Sequence, residues 1–525
     1  MRKVIALGFV PGFLLVAILI ASFGLRVWGS GFGLPAYTRY HADEWNVVEP
    51  AAAVLRTGDW NTHSFNYPPL YAYVQAVADA AYFLWGAARG MWEYVMPFTL
   101  PQFYHVGRMV TALVGTLTVL VVYLAGRNLH GRRTGLLAAA LLGGCYLHVI
   151  HSHYATVDVM LAFLVSLVYL FSELIRTRSQ TRWYVLAGLC AGLAGATKYN
   201  GAAAIVMPFI AHVLVTRWGE WGWLDGRLLS LLGTFVIGFF GGNPFALGSM
   251  PEFLNGLAQV LHHYGTQQPG FEGRGNWRWY IQVFLTSADA MWVVAGFLGL
   301  VRLIWKDWRR GLVLVGFPLL YYLMVSRFVV RFERNMVPIL PFLAIAGALL
   351  MDELGERLAR RFKRGIPFSH GLAGAGAILV IAAPLLAGIL FDVALSKTDL
   401  REAAGRWVMD AAHIQPGSKI AIEEYSIPFD PARYRVENVV RISDHDLLWY
   451  QLQGFDVLII SDGVWEVLRR QPDAYRGNLA VYDQLTSGST LLAKFVPKPP
   501  GIVVAGYPTV AVYHFAPVRI YGVPR

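Results

Sequence analysis

The sequence predicts a polytopic α-helical membrane protein with a C-terminal α/β domain on the outer side of the bilayer. Three observations carry this fold class. Only 15% of the 525 residues are charged and 56% are hydrophobic, with a mean hydropathy of +0.46; a soluble chain carries about 25% charge. About eleven apolar runs follow one another, near the ~20 residues that a helix needs to cross a ~30 Å hydrocarbon core. Past residue 395 these runs give way to short alternating segments. The net charge of +11 fits Lys and Arg gathered in cytoplasmic loops and does not require nucleic acid. The 17 Trp and 26 Tyr suit an interfacial belt. Cys145 and Cys190 lie in apolar runs without metal-ligand spacing and read as small buried hydrophobes.

The spans are expected at roughly 4–26, 105–125, 134–150, 157–175, 183–197, 201–216, 228–246, 279–300, 311–325, 335–351 and 371–392. The first follows a basic start, "MRK", as a signal peptide would, but its apolar run is long for a signal and reads as a retained helix. With the N-terminus inside, the inner loops are "GRNLHGRR", "RTRSQTR", "TRWGEWGWLDGR", "RLIWKDWRR" and "MDELGERLARRFKRG". Each holds at least two Lys or Arg, as the positive-inside rule requires. The outer segments are then 27–104, 151–156, 198–200, 247–278 and 326–334. Most are poor in Lys and Arg for their length. Two domains follow: a transmembrane part over 1–395 and, because the span count is odd, an extracytoplasmic part over 396–525.

Within the first outer loop, Trp45, Val48, Ala52 and Leu55 recur at helical spacing. Residues 44–57 and 70–95 therefore read as helices lying on the membrane surface. "YPPLYAY" between them forces an extended turn. In the C-terminal part, "LREAAGRWVMDAA" puts Leu400, Ala404, Trp407, Val408 and Ala411 on one helix face. "KIAIEE", "FDVLIISD", "TLLAKFV" and "TVAVYHF" read as strands.

This topology collects the unusual polar residues on the outer side. Asp43 and Glu44 follow the first span. Asp158 follows "HSHYATV". Lys198 and Asn200 sit in "TKYNG", Asn243 in "GGNPF", and His262 and His263 in the long fourth outer segment. Ionisable groups at membrane depth are costly and mark function, although Asp158 also suits a solvated helix N-terminus. "SRFVVRFERN" puts Arg327, Arg331 and Arg334 outside, against the trend. Either they snorkel to headgroups and pair with Glu333, or they bind something anionic. The spacing of His151 and His153 is a weak metal signal in a loop. No P-loop, GxSxG elbow or HExxH motif is present, which argues against an ATP-driven pump and a serine or zinc hydrolase. A secondary transporter or lipid flippase remains an alternative. It would place its ionisable residues near the midplane in two similar halves, and no halves are evident.

"HADEWNVVEPAAAVLRTGDW" followed by "FNYPPLYAY" resembles the first outer loop of GT-C glycosyltransferases. The resemblance is to the polyprenyl-phosphate-sugar-dependent enzymes related to protein O-mannosyltransferases and aminoarabinose transferases, of the glycosyltransferase family 39 type. It continues through "HSHYATVDVMLAF", "GLAGATKYNGAAA" and "RFERNMVPILPFLAIAG", and so spans most of the membrane part. It implies a GT-C fold and an inverting transfer of sugar from a dolichyl or undecaprenyl phosphate carrier to a protein, lipid or glycan acceptor at the extracytoplasmic face. Asp43 matches the catalytic carboxylate. Glu44 is expected to orient it or hold the acceptor, and Asp158 matches a second acidic position. Lys198, Arg331 and Arg334 are the expected partners of the lipid phosphate. Tyr67, His153, Asn200 and His263 are expected to line the substrate site. If a metal takes part, Asp43 and Asp158 are its candidate ligands and Mg or Mn its candidate identity. The chain lacks a WWDYG-like motif and is too short for the β-trefoil insertion of eukaryotic O-mannosyltransferases, so sugar and acceptor stay open.

Overall fold

The computed structural model describes residues 2–35, 41, 43–91, 100–216, 224–266, 276–410, 413–424, 426–427, 433–497, 507 and 516–525. Each of the eleven expected spans falls on helix. Seven are single helices: Arg2–Val27, Leu100–His130, Val157–Arg178, Thr181–Thr197, Gly226–Gly242, Trp308–Val325 and Ile366–Leu395. Four are broken. The run at 134–150 divides into Arg132–Gly143 and Tyr146–His151. That at 201–216 begins as the 3-10 turn Tyr199–Ile205 and continues as Val206–Val215. That at 279–300 divides into Trp277–Thr286 and Ala290–Lys306. That at 335–351 begins as the 3-10 segment Glu333–Ile339 and continues as Leu340–Arg361. Pro338 and Pro341 lack the N–H that a regular helix would use there. Irregular backbone at membrane depth is tolerated where protein buries it, and residues 333–339 are all buried.

The breaks also explain why length and hydropathy alone select fewer spans. Among the described residues four segments are long and apolar enough to cross a membrane: Pro101–His130, Val157–Arg178, Glu333–Arg361 and Ile366–Met409. Gly12–Val27, Tyr199–Val215 and Gly226–Gly242 are shorter apolar helices. Close packing compensates where segments are short. Gly188 and Gly192 of Thr181–Thr197 meet the backbone of Gly226–Gly242 directly; a Cβ on Gly192 would lie 2.1 Å from the Phe235 carbonyl oxygen. Small residues four apart let two backbones touch in this way.

The first outer loop forms the helices Trp45–Thr57 and Leu70–Ala88; residues 92–95 of the second expected helix lie outside the described residues. Val47, Val48, Ala51, Ala52 and Val54 are the buried face of Trp45–Thr57, and Gly58, at φ 74°, ends it in the left-handed conformation that glycine adopts without strain.

The C-terminal part is a five-stranded sheet flanked by helices. Its strands are β1 (Lys419–Glu423), β2 (Arg435–Val439), β3 (Val457–Ser461), β4 (Thr490–Phe495) and β5 (Val518–Gly522), in the order β2-β1-β3-β5-β4. β1 runs parallel to β2 and β3; β5 is antiparallel to β3 and β4. Alternation along β1 and β3 sends Ile420, Ile422, Val457 and Ile459 toward Ala404 and Val408 of the helix Leu400–Met409. Ala421, Leu458 and Ile460 face Trp465, Tyr482 and Leu485 on the other side. The expected strands at 419–424, 455–462 and 490–496 contain β1, β3 and β4; the one at 509–515 lies outside the described residues. β2, mostly exposed and charged, and β5 carry no strand pattern that the sequence reading caught.

Candidate active site

Four segments separated in the chain meet on one irregular strut, residues 326–339. The arginine cluster opens it. Asn276 fixes its approach by accepting from Arg331 Nη1 at 2.9 Å and donating from Nδ2 to the Val329 carbonyl at 3.0 Å. The Arg331 guanidinium also lies 5.4 Å from the centre of the Trp279 ring. Burial lowers the Arg331 pKa, and Arg470 of the C-terminal part adds to the effect.

Further along the strut, Arg334 donates to the Asp43 carboxylate. The next residue, Asn335, accepts from Lys198 Nζ at 3.2 Å. Lys198 also donates to Asp158 Oδ1 at 2.8 Å. Burial opposes the Lys198 charge, but Asp158 and the phenols of Tyr321 and Tyr264 outweigh it and raise its pKa. Asp43 and Asp158, 115 positions apart in the chain, thus engage cations that meet at neighbouring positions of one strut. Lys198 reaches it because the helix Thr181–Thr197 stops there, its next residue leaving in an extended conformation.

Glu44 points elsewhere. It is fully buried and holds Arg108 by two bonds of 2.8 Å, while its Oε1 also accepts from the Ala155 N–H at 3.0 Å. Arg108 further donates to the Ser30 and Phe32 carbonyls and sits 3.7 Å from the centre of the Phe32 ring. Glu44 was expected to orient Asp43 or hold the acceptor; in the structure both its oxygens are engaged inside the protein, at the turn next to Asp43. The Asp43 N–H donates to His41 Nδ1 at 3.2 Å, and the His41 ring stacks on Tyr154. The acid is therefore supported by the 151–156 turn. Arg108 was missed, although an arginine inside an apolar run was a readable signal.

The remaining candidates separate. His153 is fully buried, beside Asp392 at 3.2 Å, with its Nε2 3.0 Å from the Trp28 carbonyl oxygen; it joins the first and last membrane helices. It does not line an open site, because those contacts enclose it. Asn200 is half-buried and donates to Tyr321 at 3.4 Å, a residue within the electrostatic reach of Lys198 and Asp158. His263 is exposed on the helix Met250–Gly265, and burial of part of its ring lowers its pKa. Tyr67 lines a cleft of about 650 Å3 between Trp45–Thr57 and the Tyr67-Pro68-Pro69 turn. His151, in the core of the site, has both ring nitrogens buried without a partner among the described residues; buried polar atoms of this kind call for an explanation.

A divalent cation fits this arrangement poorly. Asp43 and Asp158 each face a basic side chain, and among the described residues no group of three or more His, Cys, Asp or Glu gathers at one point. Mg and Mn take about six oxygen ligands.

Residues 104–241 match the family model of dolichyl-phosphate-mannose-protein mannosyltransferase. A comparison with curated proteins gave no match. Among solved structures, ArnT from Cupriavidus metallidurans in the apo state shares the fold over 99% of this chain and 98% of its own, at 16% identity and a TM-score of 0.54. The same protein bound to undecaprenyl phosphate matches over 98% of each chain at 18% identity and a TM-score of 0.50. The Archaeoglobus fulgidus oligosaccharyltransferase in its apo form matches over 92% of this chain and 73% of its own, at 13% identity and a TM-score of 0.53. The fold is the GT-C fold, and the family match and the shared architecture together indicate a glycosyltransferase.

Proposed function

We propose that this protein moves a sugar, with inversion, from a polyprenyl phosphate to an acceptor hydroxyl at the extracytoplasmic face of the membrane. The observation that carries the reading is the contact between Asp43 and Arg334, with Lys198 bonded both to Asp158 and to Asn335 at the next position. An acid that can take a proton lies against a cation that can take a phosphate. The lipid phosphate bound to ArnT and the mannosyl carrier named by the family model support a donor of this class.

The chemistry balances on these residues alone. The acceptor oxygen attacks carbon 1 of the sugar. Its proton passes to an Asp43 carboxylate oxygen, the new C–O bond forms, and the bond from carbon 1 to the phosphate oxygen breaks. The polyprenyl phosphate leaves with the electron pair, and Arg334, Arg331 and Lys198 stabilise its growing negative charge. Arg334 then has two roles in sequence. Before donor arrives it occupies Asp43; a phosphate that draws Arg334 to itself frees the carboxylate to act as a base. Asp158 keeps Lys198 charged and oriented, and Glu44 with Arg108 holds the backbone turn of the base.

The test is Asp43→Asn in purified protein supplied with a polyprenyl-phosphate sugar and a crude envelope acceptor fraction. The variant keeps size and most hydrogen bonding but loses basicity. Transfer should fall about 10²-fold or more, while donor binding is retained. Near wild-type transfer by this variant would remove Asp43 from the role of base and leave Asp158 as the leading candidate.

A further inference from the structure

The cleft that Tyr67 lines has no part in the chemistry above, and neither does Glu49, four residues along the helix from Trp45. Trp45, Glu49, Ala53 and Arg56 follow one another at helical spacing on the wall formed by Trp45–Thr57. Thr62, Ser64 and Tyr67 form the opposing rim. The volume, about 650 Å3, falls within the ~300–1,000 Å3 of small-ligand pockets. One end reaches the base: Asn46 lines the cleft, and both its N–H and its Nδ2 donate to the Asp43 carbonyl, at 3.1 and 3.4 Å. The other end includes Val157, directly before Asp158. Neither Lys198 nor Arg331 nor Arg334 lines it. The cleft therefore adjoins the turn that carries Asp43 and is lined by none of the cations proposed to hold the phosphate.

We propose that this cleft binds the saccharide portion of the acceptor. The inference rests on the reading of Asp43 as the base of a glycosyl transfer. Its walls offer what a sugar ring uses. Trp45 is 44% exposed and Tyr67 half-buried, giving aromatic surface for the C–H faces of a ring. Glu49 and Asn46 supply a carboxylate and an amide for its hydroxyls, and Thr62 and Ser64 supply hydroxyls of their own. A peptide is a poorer fit. The walls are a helix and a proline-rich turn, so no strand edge is offered for an extended chain to pair with. Bound this way, a terminal acceptor hydroxyl would enter past Asn46 toward the turn that carries Asp43.

The experiment uses the full-length protein in lipid nanodiscs without donor, titrated with mannotriose, cellotriose, chitotriose and a threonine-containing hexapeptide, and read by saturation-transfer NMR. At least one trisaccharide should bind. Glu49→Gln should raise its Kd about tenfold, the scale of losing one hydrogen bond to a charged group, and Trp45→Ala should do at least as much. Trp45 is exposed and Glu49 half-buried, both off the buried face of that helix, and thermal unfolding of the two variants checks that they fold. Asp43→Asn should bind the trisaccharide as the wild type does. The proposal is overturned if no trisaccharide binds, if binding is indifferent to Glu49 and Trp45, or if the hexapeptide alone binds in a Glu49-dependent way. Because no donor is present, this result stands apart from the transfer assay of Asp43→Asn, and either reading can fail without the other.

Discussion

Around the 326–339 strut and the turn before Trp45–Thr57, buried or half-buried acids are met by cations from other segments: Glu44 by Arg108, Asp43 by Arg334 and Asp158 by Lys198. In the sheet domain, Glu423 is as deeply buried but is satisfied differently. Its oxygens accept from the Ile442 and Ser461 N–H groups, at 2.9 and 3.0 Å, and from the Tyr482 hydroxyl. Desolvation, with no cation to offset it, pushes its pKa up to about 8. The two solutions suit different tasks. A charge paired with a cation at a half-open site can exchange that partner for an incoming anion, as Arg334 is proposed to do. A carboxyl group at the end of β1, pinned by backbone N–H groups just past β2 and at the end of β3, has nothing to exchange; it ties these segments together.

The strongest way to break this comparison is to remove one half of the most buried pair. Arg108→Ala leaves the Glu44 carboxylate uncompensated in the interior, which costs about 3–5 kcal/mol. Thermal unfolding of the detergent-purified protein should register a large loss. Glu44→Gln combined with Arg108→Met should recover part of it, since replacing both charges removes the unpaired group. Equal losses in the two proteins would mean that the pair acts through packing rather than charge.

Among the cations, Arg331 should separate donor use from folding. It stands at the mouth of the strut, half-buried, held by Asn276 and Trp279. Arg331→Ala should raise the KM for the lipid-linked donor or lower kcat by roughly tenfold, the scale of one charge-assisted phosphate contact, with the melting temperature little changed. An unchanged donor titration would exclude it from the phosphate site.

Glu423 makes the opposite prediction to an ion pair. Its folded pKa is raised, so the folded domain binds its proton more tightly than the unfolded chain does. The stability this contributes is complete below the unfolded value of 4.5 and is lost as the pH rises toward about 8. Hydrogen exchange of the full-length protein should show the sheet domain opening more readily at pH 8 than at pH 5, and Glu423→Gln should flatten that dependence. A sheet domain equally protected at both pH values would refute it.

The smallest effect belongs to the exposed clasp at the rim of the cleft. His63 Nε2 lies 3.0 Å from Asp59, with Glu252 at 3.9 Å from its Nδ1. The hydrogen bond to Asp59 raises the His63 pKa, and the backbone and His63 contacts lower that of Asp59. The clasp is thus fully formed below the ordinary histidine value and loosens as pH rises through the raised one. NMR titration of the ring should report the raised value, and His63→Gln should abolish the pH dependence of exchange at residues 59–64 while changing transfer little.

The sequence by itself determined the helical membrane architecture, because hydrophobic length and the distribution of Lys and Arg follow directly from the cost of placing polar groups in hydrocarbon. It also singled out the ionisable residues that the proposed function uses. Asp43, Asp158, Lys198 and Arg334 stand out as ionisable groups in an apolar chain, whatever their partners. What it could not supply was pairing. Asp43 was expected to be the base and Glu44 to orient it or hold the acceptor, but nothing in the sequence showed that the turn into Trp45–Thr57 directs Glu44 inward to Arg108 and leaves Asp43 beside Arg334. His153 looked like a site residue until the last membrane helix brought Asp392 to it. The 3-10 segment Glu333–Ile339, which puts Arg334 and Asn335 within reach of Asp43 and Lys198, carries no local pattern that separates it from the helix that follows. Burial cost is written in residue type and spacing. Which charge offsets it depends on contacts between segments 40 to 291 residues apart, and only the tertiary packing decides those.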